Sequence, residues 1–220
     1  VEQVEVVKGP ASAQTGRGST GGYINLFSKQ PKLDTFVNGT VGAGTSAYKR
    51  ATADLNVGGE ALGVGGGTAL RLNLLFHDAD APGRDYVENH RIGIAPSVAV
   101  GLGTSTRAIL SYFRLEADNQ PDYGIPFVPA ANTALPPEFD DKPAPVDYDN
   151  YYGLTKRDYE ETVANIATFA LEHDISDGVR IATFVPCTVG LAFERARQRE
   201  RIAGPSRHRN GEVEMALRLR

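Results

Sequence analysis

Apolar residues recur at every second position through much of this chain, in runs of strand length set apart by turn signals. Thr68–His77 shows it best: Leu70, Leu72, Leu74 and Phe76 alternate with Arg71, Asn73, Leu75 and His77. A period of two is that of a strand with two unlike faces, whereas a helix would repeat every 3.6 residues. The same reading covers Phe36–Gly44, Tyr48–Val57, Arg91–Val100, Arg107–Glu116 and Val163–His173, and it resumes at Val179-Arg180-Ile181. In Arg107–Glu116, Ala108, Leu110 and Tyr112 face away from Arg107, Ile109 and Ser111. The pattern predicts an all-β chain. Strands with one apolar and one small or polar face fit a membrane barrel with a wet lumen. They also fit a soluble β-sandwich used for ligand binding or adhesion, and alternation alone leaves both open.

The links between these runs differ in length and character. After the short turn at Thr45-Ser46-Ala47 come Gly58–Gly67, Asp78–His90, Gly101–Ser105, Ala117–Thr162 and Asp174–Gly178. The two links rich in charge or aromatic rings, Asp78–His90 and Ala117–Thr162, lie two connections apart and so fall on the same side of a sheet. Outer-membrane barrels pair short turns on one side with long loops on the other. A structureless stretch as long as Ala117–Thr162 is uncommon inside a compact soluble domain.

The chain opens on two further β-type runs. Val4, Val6 and Val7 are interleaved with Glu2, Glu5 and Lys8 before Gly9-Pro10 breaks the run, and Tyr23–Phe27 forms the second. Between them Gly16, Gly18, Gly21 and Gly22 permit tight turns. A P-loop is excluded because Gly21-Gly22 leads into Tyr23, with no lysine and hydroxyl to meet a phosphate. A dinucleotide-binding loop is excluded because β-type residues, not a helix, follow the glycines.

Taken in order, Val1–Pro10, Gly16–Asn25 and Lys29-Gln30-Pro31 resemble the end of the plug domain of TonB-dependent outer-membrane receptors. Asp78–Asp85, Ile94–Ser97, Leu110–Phe113, Asp118–Pro126 and Tyr151–Leu154 look like the early barrel of ferric-siderophore receptors, closest to the catecholate branch. The resemblance implies a transmembrane antiparallel β-barrel, of 22 strands in the family, closed by an N-terminal plug. It divides the chain into the C-terminal part of a plug (1–34), an early part of the barrel with about seven strands (35–180) and an atypical tail (181–220). It further implies residence in the cell outer membrane among its lipids, a ferric siderophore as ligand, and energy from the TonB–ExbB–ExbD complex. Glu2, Glu5, Lys8 and Arg17 are then expected to hold the plug against the barrel wall. Arg84, Tyr86, Tyr123 and Phe127 are expected to meet the ligand, since an anionic, aromatic-faced complex wants positive charge and flat rings. No cofactor is expected.

Composition narrows the picture. A formal charge of -4 does not suggest a nucleic-acid binder, and no uncharged run reaches the roughly 18 residues of a membrane helix. His77, His90, His173 and His208 lack metal-ligand spacing, and no nucleophile elbow is present, so no catalytic residue and no metal site are expected. Asp140, Asp141, Asp147 and Asp149 read as solvated loop acids, with an exposed calcium contact as the other reading. With no initiator methionine and a start inside a strand, the chain reads as a fragment.

Beyond Ile181 the character changes. All nine tyrosines lie at or before Tyr159, no aspartate follows Asp177, and Arg195, Arg197, Arg199, Arg201, Arg207, Arg209, Arg218 and Arg220 crowd the end. Three readings stand: an arginine-rich nucleic-acid segment, an amphipathic helix over Leu191–Ile202, or a shift of reading frame near Ile181. The third is preferred, because composition, alternation and resemblance all fail together.

Overall fold

The computed structural model describes residues 1–10, 20–130, 134–176, 179–195 and 214–219, with side chains as far as Val185. Its main body is one antiparallel sheet. In chain order its strands are β3 (Phe36–Ala43), β4 (Lys49–Gly58), β5 (Ala69–Asp80), β6 (Glu88–Val100), β7 (Thr106–Gln120), β10 (Glu160–Ser176), β11 (Val179–Arg195) and β12 (Glu214–Leu219). Each pairs with the next in that order. A separate hairpin joins β1 (Gln3–Lys8) to β2 (Gly22–Phe27), with Val6 facing Ile24. A small ribbon, β8 (Phe127–Val128) with β9 (Lys142–Pro143), sits in the longest link. The only helix longer than a single 3-10 turn among the described residues is α1 (Gly59–Leu62).

Register places the alternating residues on two faces. Val41, Ala51, Phe76 and Ile92 face one another across successive strands, as do Ala53, Leu74 and Ile94, and Leu110 and Phe169. Most of the large residues in these rows are exposed. The other face carries Thr40 beside Thr52, whose hydroxyls are 2.6 Å apart, then Asp54, Asn56, Arg71, Ser97 and Ser111. A row of exposed apolar side chains backed by a row of polar ones is the arrangement of a wall between lipid and water.

The strands overrun the expected segments where both faces are polar. β6 begins at Glu88 rather than Arg91, and β7 continues through Asp118 and Asn119, still paired on both sides, to Gln120, paired with Glu88. Backbone groups pair whatever side chains they carry, so the ladder persists after the apolar alternation has faded. For the same reason it crosses Ile181 unbroken, with β11 matched to β10 as far as Arg195. Leu191–Arg195 is therefore strand, which corrects the alternative reading of an amphipathic helix over Leu191–Ile202; residues 196–202 lie outside the described set.

Two glycines fix how the hairpin and the sheet close. Gly22 sits at φ +123°, and a Cβ there would strike the Val7 carbonyl on the facing strand. At Gly58 a Cβ would strike the Leu33 carbonyl, so the connector from hairpin to sheet can cross the end of β4 closely. That crossing brings the hairpin onto the polar face.

Candidate functional site

Two clusters of side chains stand at opposite ends of the sheet. The first pins the hairpin and its connector to the polar face. Arg71 on β5 donates through Nε and Nη2 to Asp54 Oδ1 and Oδ2 on β4, each at 2.8 Å. This is a bidentate fork, the strongest geometry available to a guanidinium. The remaining Nη1 reaches across to the hairpin side, 3.1 Å from Glu2 Oε2 and 2.6 Å from the Gln30 carbonyl. The Arg71 side chain is only 4% exposed, and the Phe36 ring lies with its centroid 5.3 Å from the guanidinium carbon. Lys29 adds a second link to Asp54 at 2.8 Å, and Lys32 pairs with Glu2 at 2.5 Å. The Lys32 ammonium holds the Glu2 carboxyl below its ordinary range, with Arg71 adding to the effect.

Asn56, fully buried, completes this latch. Its Nδ2 donates to the carbonyls of Lys32 (2.8 Å) and Asp34, and its Oδ1 accepts from the Lys32 amide at 3.0 Å. One side-chain amide thus stands in for a strand partner along the connector, satisfying backbone groups that burial would otherwise leave costly. Of the expected plug contacts, Glu2 meets the sheet. Glu5 accepts a hydrogen bond from Gln3 in its own strand, and Lys8 has no ion-pair partner among the described residues. Arg17 lies outside them. Arg71, Asp54, Lys29 and Asn56 were not singled out from sequence. Their signal is a charged or amide residue at inward positions of adjacent strands, and it becomes visible only once the register is known.

The second cluster is at the other end. The turn Gly44–Tyr48, the link Ala81–Val87 and the link Pro121–Tyr159 all lie there, and the Asp80 amide donates to the Ser46 carbonyl at 2.9 Å. Arg84 holds the two longer links together. Its Nε and Nη2 reach Asp122 Oδ2 (3.0 Å) and Oδ1 (2.6 Å), Nη2 also reaches the Gly124 carbonyl at 3.3 Å, and Nη1 donates to the Tyr148 carbonyl. The Asp85 amide adds a bond to the Asp149 carbonyl at 2.7 Å. Arg84 was expected to face a ligand, but all three of its nitrogens are engaged within the chain. The expected aromatic partners are open instead: Tyr86 is 71% exposed, Tyr123 60% and Phe127 61%, with Tyr148 exposed close to the clamp. Further back, Gln120 binds the Tyr151 hydroxyl and the Asp158 carbonyl, while Arg157 pairs with Asp158 at 2.7 Å.

The clamp has a pH signature. Arg84, then the Gly124 amide, hold the Asp122 carboxyl below its ordinary value. A depressed pKa contributes stability that is fully present above the unfolded value, about 3.9 for aspartate, and is lost as pH falls through the folded value. Acidification below about pH 4 is expected to release the two links from each other, read as faster amide exchange at Asp85. Asp122→Asn should make that exchange fast already at neutral pH and remove its acid dependence. An unchanged acid profile in the variant would assign the opening to another group.

Among the described residues no group of three or more His, Cys, Asp or Glu side chains could hold a metal ion. No family model matches the chain. Among curated proteins it is 43% identical over 182 residues to the probable TonB-dependent siderophore receptor PiuA of Acinetobacter baumannii. It is 40% identical over 187 residues to the catecholate siderophore receptor Fiu of Escherichia coli K12. Each alignment takes in 82% of this chain and 23% of the relative, so the chain spans about a quarter of the length of these receptors. The crystal structure of Fiu in its open form matches with a TM-score of 0.73 at 37% identity, over 83% of this chain and 27% of that one. The PiuA structure gives 0.72 at 42% identity, over 84% and 25%. At such identity, across most of its length and with the same fold, the chain belongs to the TonB-dependent outer-membrane receptor family.

Proposed function

We propose that this chain is part of an outer-membrane receptor that imports ferric siderophores, with catecholate complexes as the ligand class. The observation that carries this reading is a hairpin held by a buried ion pair to the polar face of a sheet whose other face is apolar. That is a stopper fixed inside a wall. The ligand class follows the names of the most similar relatives, among them a catecholate receptor. In this reading the loops carrying Tyr86, Tyr123 and Phe127 capture the iron complex outside the cell. The plug blocks passage until the TonB–ExbB–ExbD complex supplies energy from the inner membrane. The exposed apolar rows meet outer-membrane lipid. The protein is a transporter, not an enzyme, and iron is its cargo. The tail from Ile181 belongs to this proposal as a stretch read out of frame. A soluble adhesion or ligand-binding domain would need a second layer over the exposed apolar side chains that share one face, Leu74, Phe76, Ile92 and Ile94 on β5 and β6 and Leu110 and Phe169 on β7 and β10, and large exposed apolar patches mark an interaction surface.

The direct test is growth on a ferric catecholate as sole iron source in a strain deleted for its own catecholate receptors. The full-length receptor carrying this sequence should restore growth only when TonB is present. Restoration without TonB, or none with it, would sink the reading.

Tyr123 carries a sharper expectation. It follows Asp122 in the clamp, and the bonds from Arg84 to Asp122 and Gly124 hold its backbone on both sides. A ring preorganised in this way loses little entropy when a catechol stacks on it. Tyr123→Ala in the full-length receptor should weaken catecholate binding by about 1 kcal/mol, the scale of one aromatic contact, with surface expression intact. Unchanged binding with lowered expression would make Tyr123 an interface anchor instead.

A further inference from the structure

We propose that Arg50, His77 and Arg91 form an anion-binding row on the inner face of the sheet, just below the external loops, which receives the negatively charged iron complex from them. The nature of the cargo rests on the function proposed above; the row itself rests on geometry. Arg50 of β4 faces His77 of β5, and His77 faces Arg91 of β6. Residues directly opposite on neighbouring strands share a face, with Cβ atoms roughly 4.5–5.5 Å apart. Along β5, His77 is three inward positions beyond Arg71, past Asn73 and Leu75, so the row lies on the face where the hairpin docks.

Like charges placed opposite one another destabilise a ladder, and elsewhere on this face cations are matched by acids. Arg71 is held by Asp54 and Glu2, and Arg107 and Arg180 share Glu172 and Asp174. Arg50 and Arg91 are exposed, and neither has a hydrogen-bond or ion-pair partner among the described residues. The adjoining inward positions Thr52, Leu75, Ala79, Asn89, Gly93 and Ala117 bring no acid. Asp78, next to His77 in sequence, points to the opposite face and is engaged there by Lys49 at 3.3 Å and by His90 at 3.8 Å. Between the arginines His77 is half-buried. The Tyr48 ring packs edge-on against it at 5.7 Å, and its Nδ1 is buried with no hydrogen-bond partner. Two unopposed guanidinium groups around an unsatisfied imidazole concentrate positive potential on the inner face of the wall. Guanidinium planes also stack on aromatic rings, so the row suits a trianionic iron tris-catecholate in both charge and shape. It supplies the cation that Arg84, held in its clamp, does not.

The test uses the full-length receptor and the iron(III) tris-catecholate anion, with a neutral iron hydroxamate as the second probe. Arg50→Gln with Arg91→Gln should lower affinity for the anion at least ten-fold and flatten its dependence on salt. Arg50→Lys with Arg91→Lys, which keeps the charge, should retain most of the affinity, and both variants should show the native heat-modifiable migration of a closed barrel. If the glutamine pair impairs folding, Arg91→Gln alone, at an exposed position, supplies the same comparison. Equal affinity of native and glutamine receptors for the anion overturns the row while leaving the function intact. A native receptor that ignores the anion and binds the hydroxamate overturns the catecholate function, and the row with it.

Discussion

Arg71→Ala in the full-length receptor is expected to loosen the plug and make the outer membrane leaky to large antibiotics. Arg71 touches the wall, the hairpin and the connector at once, through Asp54, Glu2 and the Gln30 carbonyl. Its removal leaves the Asp54 carboxylate, itself almost buried, facing only Lys29. Breaking a buried ion pair by deleting one partner costs about 3–5 kcal/mol, because the stranded charge keeps its desolvation penalty. The Phe36 stacking contact goes with it. Arg71→Lys should fall in between, since an ammonium cannot form the side-on fork to Asp54. Vancomycin sensitivity of whole cells and single-channel conductance of the purified receptor read the effect. An Arg71→Ala receptor with native conductance and native resistance would show that the plug is held elsewhere and that this cluster is only a solvated lumen charge.

The contrast between this latch and the strands shows what a sequence can disclose. A strand with one face in water and one in an apolar medium writes its period into the chain residue by residue, which is why Leu70 to Phe76 could be placed on a single face. Strand ends are not written in that way. Glu88, Asn89, Asp118 and Asn119 are polar on both faces, yet they remain paired because the backbone ladder costs nothing extra to extend. The latch depends on which inward residues stand opposite one another, and that is fixed by register. Asp54 and Arg71 are diagonal neighbours on β4 and β5, set by the length of the Gly59–Thr68 link that contains α1. Arg84 shows the same limit from the other side. An arginine in a polar loop reads as a free cation, but its partner Asp122 lies thirty-eight residues further on. The exposure of Tyr86, Tyr123 and Phe127, by contrast, depends on no distant partner. The tail is the opposite case. Strand pairing requires only backbone groups, so Ile181 to Arg195 can join the edge of β10 although composition and alternation have already broken down.

The polypeptide Val1–Arg220 expressed by itself is expected to give no iron uptake and no heat-modifiable barrel. Its sheet runs from β3 to β12 and is open, since among the described residues neither of these end strands has a second neighbour. In water an open edge is tolerable, but in hydrocarbon each unpaired backbone N–H or C=O costs several kcal/mol. A membrane-crossing strand has about 9–11 residues, and roughly half of the backbone groups along an edge point outward. Two open edges therefore carry a penalty of tens of kcal/mol, far above the marginal stability of a folded chain. The apolar rows make matters worse outside the membrane, where an exposed edge strand carrying Val37 and Val41 is a template for pairing with other copies. Inclusion bodies, full protease sensitivity in membrane fractions and unchanged migration on heating are the expected results. Growth on a ferric catecholate restored by this polypeptide alone, in a strain lacking its own receptors, would mean that copies of the sheet close the barrel between them.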